Sequence, residues 1–340
     1  MLNKVLFFLV FFCGIQALAG DDHWIQQTVD YTINTKFSDA LRIVNGKIEA
    51  DSNDYRAQFY LAATLNSKMT HFENHEQADQ FNKAVDRTIQ IIEAELDSGR
   101  DLVDSIKAEL FFYQGSAYGY RAFFEGNDGN YVSAISNGMK SVSALKQAVK
   151  LDSTLYGAYL GIGVYKYWLY SRLKFIIWLP FIPDDREEAI AMIKRVIAHD
   201  TLSKYMAMHQ LVYILLDYGR YEEAIFFADK IVKQYPDSQF MWWANAHAYY
   251  KNKDFLKAKS SYLKLYNLIM EDPNRNISHL LRCKLKLAMV YRELSDFKAC
   301  KNQCDSILEM SEKFNLNDSM EEVVSLSAQL SRECTNHLNN

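Results

Sequence analysis

Residues 239–266 read QFMWWANAHAYYKNKDFLKAKSSYLKLY. Trp242, Ala246 and Tyr249 recur at steps of four and three, which puts them on one face of a helix. Lys253-Asp254 interrupts the run, and Phe255, Ala258, Tyr262 and Leu265 then mark the face of a second helix. The large side chains of the two faces interlock, while the small Ala246 and Ala258 mark where the two backbones cross closely. The stretch predicts a helix, a tight turn and a second helix folded back on the first.

The same pattern recurs on both sides. Before it stand Leu211, Leu215, Gly219, Tyr221, Ala224, Ala228 and Ile231, closed by Pro236, and Ala224 lies 34 residues before Ala258. After it stand Leu287, Ala288, Tyr291, Phe297, Cys300, Cys304 and Ile307, with Cys300 in the small-residue slot, 42 residues after Ala258. The excess of eight residues over one period places an insertion around Glu271-Asp272-Pro273-Asn274. Upstream, Phe111, Gly115 and Tyr118 open a unit that ends at 148–152, and Tyr159, Ile162 and Gly163 open another that ends with Ala189, Ile193 and Val196. Fainter units carry Leu61, Ala62 and Leu65 with Ala84 and Ile91, and a half-unit carries Phe37, Ala40 and Val44. Asp184 followed by Glu187 has the spacing of a capping box at a helix start.

This spacing resembles the tetratricopeptide repeat, a helix-turn-helix unit of about 34 residues. The resemblance covers roughly residues 30–314. It implies an all-α chain: a right-handed α-solenoid of six to seven repeats within 20–316, then a C-terminal capping helix and tail over 317–340. Val323, Val324, Leu326 and Leu330 supply the apolar side of that cap. Composition agrees. Four prolines in 340 residues suit long helices, and 49% apolar against 24% charged residues excludes a disordered chain. A net charge of -4 leaves no general basic field, so nucleic acid is not an expected partner.

The N-terminus carries an address. Lys4 precedes an apolar run from Val5, and Ala17-Leu18-Ala19 ends it with small residues at the positions a signal peptidase reads. The run is shorter than the ~20 residues a bilayer span needs. Residues 1–19 are expected to be a cleaved signal peptide, with cutting near Ala19/Gly20 and a secreted or periplasmic mature chain. Cys13 follows Phe12 rather than a small residue, which argues against lipidation.

In a stack of this kind the first helix of each pair lines the inner wall. The positions expected to bind a ligand there are Phe112, Tyr120, Tyr167, Trp168, Tyr213, Trp243, His247 and Tyr250. Rings of this kind hold a peptide, a lipid tail or a sugar face by apolar contact, though the same rings also fill spaces between repeats. Members of the family that capture a peptide C-terminus do so with Lys and Asn on these helices. The matching positions here carry Phe, Trp, His and Tyr, so carboxylate or phosphate capture is disfavoured.

A second feature is the apolar insertion 171–183, where a short turn belongs. Phe175, Ile176, Ile177, Trp178, Leu179 and Phe181 make it a membrane-surface contact, a lid, or a loop folded onto the stack.

Catalytic chemistry is missing from the sequence. There is no phosphate loop and no nucleophile elbow, and His71-x-x-x-His75 has Phe72 where a zinc protease needs Glu. No metal, cofactor or enzymatic activity is expected. Cys283, Cys300, Cys304 and Cys334 remain after signal removal, enough for two disulfides. Antiparallel packing of the last repeat pairs Cys283 with Cys304 and leaves Cys300 for Cys334, unless Cys300 and Cys304 are simply small core residues. The reading is a non-enzymatic scaffold or adaptor of the cell envelope that holds a protein or peptide partner in an aromatic concave groove. The alternative is a periplasmic carrier of a hydrophobic small molecule, associated with a transporter.

Overall fold

The computed structural model describes residues 23–173, 184–200, 202–314 and 318–339. The expected signal (1–19) lies outside the described residues, as do Phe175, Ile176, Ile177, Trp178, Leu179 and Phe181 of the apolar insertion. Among the described residues all regular structure is helical. The helices are α1 (His23–Ile33), α2 (Phe37–Ala50), α3 (Tyr55–Phe72), α4 (Ala78–Leu96), α5 (Asp104–Asn127), α6 (Tyr131–Leu151), α7 (Tyr156–Leu173), α8 (Arg186–His199), α9 (Lys204–Tyr218), α10 (Tyr221–Gln234), α11 (Gln239–Lys251), α12 (Phe255–Glu271), α13 (Ile277–Glu293), α14 (Phe297–Lys313) and α15 (Asp318–Asn339). None is long and apolar enough to cross a membrane.

Two compact units divide inside α9, after Ile214. In the N-terminal unit α1–α2, α3–α4, α5–α6 and α7–α8 are successive helical hairpins, each packed on the next. In the C-terminal unit α10 packs on α11, α11–α12 and α13–α14 are hairpins, and α15 lies against α13 and α14 as the closing helix. Each unit is all-α and built of successive antiparallel helical hairpins.

A backbone motif explains how each hairpin turns. Thr35, Gly129, Gly219, Lys253 and Ser295 have φ of 59°, 86°, 89°, 64° and 60°. Each sits two residues before the next helix, which opens with Phe37, Tyr131, Tyr221, Phe255 or Phe297. The amide following each left-handed residue bonds back five residues, as in Lys36 N to Tyr31 O (2.8 Å), Arg220 N to Leu215 O (2.8 Å) and Asp296 N to Tyr291 O (2.9 Å). This left-handed closure satisfies carbonyls that the helix end would otherwise leave open. Asp254 and Asp296 then cap the second helices, accepting from Lys257 N (3.2 Å) and Ala299 N (3.0 Å). At α8 the cap position is Asp185, one residue later than the sequence spacing suggests, and its side chain makes no capping bond. The Asp184 carboxylate accepts from the Arg186 backbone N–H (3.2 Å) and from its guanidinium (2.8 and 2.6 Å).

The small residues sit where the sequence spacing puts them. Ala246 and Ala258 are fully buried beside Tyr249, Tyr262 and Leu265. A Cβ added at Gly115 would lie 2.8 Å from Leu145 Cγ and 2.9 Å from Ser141 O, so α5 and α6 touch there through bare backbone. In α4 the register differs by one residue from the expected one: Ile92 is buried and Ile91 is not.

Candidate functional site

In the N-terminal unit, three of the expected wall residues turn out to be core. Phe112, Tyr120 and Tyr167 have no exposed surface. Phe59 meets Tyr120 edge-on at 5.6 Å and Tyr113 at 5.1 Å, and Phe112 meets Tyr113 at 5.2 Å. Trp24 on α1 packs edge-on against Tyr60 on α3 at 5.7 Å. The rings of α1, α3 and α5 therefore bind one repeat to the next, each edge-to-face pair adding about 0.5–1.5 kcal/mol beyond its buried area. Tyr167 also donates its hydroxyl to Ile214 O at 3.1 Å. Trp168 and Tyr213 are half-buried. Tyr213 stands edge-on to the buried His209 at 5.2 Å, and burial holds its phenol well above the usual range.

His71 and His75 are not brought together. Helix α3 ends at Phe72, and Glu73 turns into the left-handed region (φ 50°). His71 is buried against Phe37 and Phe72, while His75 lies beside Asp128 at 3.3 Å. Among the described residues no group of three His, Cys, Asp or Glu is arranged to hold a metal ion.

The C-terminal unit presents a different surface. Trp243, His247 and Tyr250 follow one another along a face of α11, and all three are half-buried. Trp243 stands edge-on to His279 of α13 at 6.1 Å and to Tyr262 of α12 at 6.0 Å. Along α13 from His279 come Arg282 and Lys286, one turn apart, with Arg282 close to His279 and Lys286 close to His247 of α11. Burial, with Lys286 and Lys251 close by, pushes the His247 imidazole down to about 3. Burial, with Arg282 close by, does the same to His279. Lys286 is itself held below the ordinary lysine range by burial, by Lys251 and by Arg282, against the opposing pull of Glu322 on α15.

Two lysines and one indole of this face have hydrogen-bonding capacity to spare. Lys251, Arg282 and Lys286 are donors only. Among the described residues neither Lys251 nor Lys286 forms an ion pair, and the buried Nε1 of Trp243 finds no acceptor. The polar residues behind the face are already matched. Asn245 donates to Asp229 (2.9 Å) and accepts from Ser261 (2.6 Å), and the Tyr249 hydroxyl also donates to Asp229 (2.9 Å). The carboxylate acting on Lys286 here is Glu322 of α15, and it forms no ion pair with it. The expectation that carboxylate capture is disfavoured rests on the rings of the first helices and does not weigh the cations of α13. Arg282 and Lys286 interleave with the core positions Leu281, Cys283, Leu285 and Leu287, which masks them in a search for apolar spacing.

The structure corrects one cysteine pairing. Cys283 and Cys304 do not meet, because they face opposite sides of α13. Cys283 packs with Tyr262, Leu265 and Leu287, its thiol toward Tyr262 O at 3.5 Å. Cys304 packs with Leu281, Leu285, Cys300 and Cys334. All four cysteines are buried and unbridged.

No family profile matches the chain, and no curated protein matches its sequence. Solved structures are similar to it at low identity. The C-terminal part of a TPR repeat-containing protein from Cytophaga hutchinsonii aligns over 88% of this chain and 99% of its own, at 17% identity and a TM-score of 0.47. Yeast Tom70 aligns over 90% of this chain and 60% of its own, at 15% identity and a TM-score of 0.47. A tetratricopeptide repeat protein from Parabacteroides merdae aligns over 90% and 98%, at 11% identity and a TM-score of 0.41.

Proposed function

We propose that the chain is a non-enzymatic binding scaffold that works in the cell envelope after loss of its first nineteen residues. In this reading its C-terminal unit holds an acidic, extended segment of a protein partner along α11 and α13. The observation that carries it is the pair of lysines without an ion pair among the described residues, Lys251 and Lys286, beside a buried Trp243 N–H that has no acceptor. A buried donor left unmatched costs about 1–3 kcal/mol, and a carboxylate or backbone carbonyl of a partner would recover it. The rings of Trp243 and Tyr250 supply apolar contact beside the charges. The chain as a whole is acidic, so the positive field is local and favours docking in one register.

A labelled, end-blocked ten-residue peptide that alternates Glu with Phe is the probe. Fluorescence anisotropy should report binding that weakens as salt rises. The double variant Arg282→Glu/Lys286→Glu should bind it at least tenfold more weakly, and the matching Lys/Phe peptide should not bind. Equal binding of the Glu/Phe peptide by the charge-reversed protein would remove this face from the account.

A further inference from the structure

Cys300 and Cys304 stand one turn apart on α14, and Cys334 stands on α15. The Cys334 Sγ lies 2.9 Å from the Cys300 Sγ, although the two residues are 34 apart in sequence. A disulfide spans about 2.05 Å, so these sulfurs are less than 1 Å from bonding distance. Two of the alternatives, Cys300 with Cys304 and any pairing of Cys283, are disfavoured by geometry, and among the described contacts Cys334 meets the sulfur of Cys300. Cysteines four apart on one helix have Cβ atoms about 5–6 Å apart, beyond the about 3.5–4.5 Å a disulfide bridges, which disfavours Cys300 with Cys304. Cys283 faces the far side of α13.

A cleft borders one member of the pair, although Cys334 itself has no exposed surface. The cleft, of about 260 Å³, is lined by Cys334 together with Arg292, Phe297, Glu333 and His337. Phe297 and His337 stack at 4.3 Å to form one wall. The Arg292 guanidinium, which bonds Glu293 at 2.8 Å and approaches Glu333 at 3.7 Å, lies close enough to favour a thiolate at either cysteine. Burial works against it and holds the Cys334 thiol up at about 12, with the hydrogen bond to Cys300 adding to the effect. Oxidation is therefore slow near neutral pH and speeds up as pH rises.

We propose that Cys300 and Cys334 form a redox pair whose disulfide fastens the closing helix α15 to α14, with Cys334 as the sulfur that meets the oxidant. The oxidant is a disulfide of a small thiol or of a thiol–disulfide oxidoreductase. The Cys334 thiolate, having given its proton to solvent, attacks one sulfur of that disulfide and releases one thiolate. The Cys300 thiolate then attacks the Cys334 sulfur of the mixed disulfide and releases the second. Two cysteine thiols lose two protons and two electrons, and one external disulfide becomes two thiols.

The test uses the full chain, purified reduced and incubated at pH 8 with oxidised glutathione. Iodoacetamide then blocks the remaining thiols, and peptides are mapped without reduction. The expected result is a loss of two free thiols and one linked peptide pair joining Cys300 to Cys334. Cys334→Ser should abolish the loss, and Cys304→Ser should leave it intact. A linkage of either residue to Cys283 or Cys304, or full alkylation of every thiol after the incubation, would overturn the proposal. Mapping of the unmutated chain decides between these outcomes even if a variant fails to fold.

Discussion

Acid should weaken this protein through His279. The imidazole is buried on α13, with burial and Arg282 pushing it down to about 3. In the unfolded chain an ordinary histidine titrates near 6.5, so between pH 6.5 and 3 the unfolded state binds the extra proton. Stability is therefore lost as pH falls below about 6.5. At pH 5 the unfolded imidazole lies 1.5 pH units below its midpoint while the folded one stays neutral, which costs about 2 kcal/mol at about 1.36 kcal/mol per unit. His247 shifts the same way, but it is half-buried and water screens it, so about half that value applies. The assay is urea unfolding followed by circular dichroism at pH 7.5 and pH 5, on the unmutated chain, His279→Gln, and His247→Gln/His279→Gln. With a urea slope of about 1–3 kcal/mol per molar, the combined loss of about 3 kcal/mol should make the unmutated midpoint fall by about 1–3 M more than that of the double variant. Equal acid sensitivity in all three proteins would refute the assignment of two neutral buried imidazoles to this face.

Three other perturbations test the packing. Gly115→Ala drives a Cβ into Leu145 and the Ser141 carbonyl, and should lower stability by about 1–3 kcal/mol in thermal or urea unfolding. Ser295→Gly relieves a non-glycine residue at φ 60°, and should raise stability by up to about 1 kcal/mol, since the left-handed region costs other residues about 1–2 kcal/mol and glycine's freedom in the unfolded chain takes part of that back. Oxidation of Cys300 and Cys334 closes a loop spanning 34 positions, and should raise the unfolding free energy by about 4 kcal/mol in the chain-entropy account, reversibly with dithiothreitol.

The hairpins were legible because their geometry depends on residue size at fixed spacing. Ala246, Ala258 and Gly115 announce close crossings by being small among large neighbours, and the structure uses each in that way. The left-handed turns were less legible. Thr35, Lys253 and Ser295 share no chemistry with Gly129 and Gly219, and only their common place before an aromatic helix start unites them. The site was read less well than the fold. Phe112, Tyr120 and Tyr167 occupy inner positions by count, yet the same positions face the neighbouring repeat, and spacing alone cannot say which side wins. Antiparallel packing of the last repeat brings Cys283 toward Cys304 by position along the helices, but says nothing of the rotation of α13 that turns Cys283 toward Tyr262. Arg282 and Lys286 carried a charge signal on a helix read only for its core.

The most direct test of the account places a photo-crosslinking phenylalanine analogue at Tyr250 or at Phe226, the latter an exposed ring on α10, in cells of the native source. If α11 and α13 hold the partner, position 250 yields a discrete crosslinked protein, and Lys251→Glu/Lys286→Glu in the same chain abolishes it. Crosslinks from position 226 alone, or a product at 250 that survives the charge reversal, would contradict the claim.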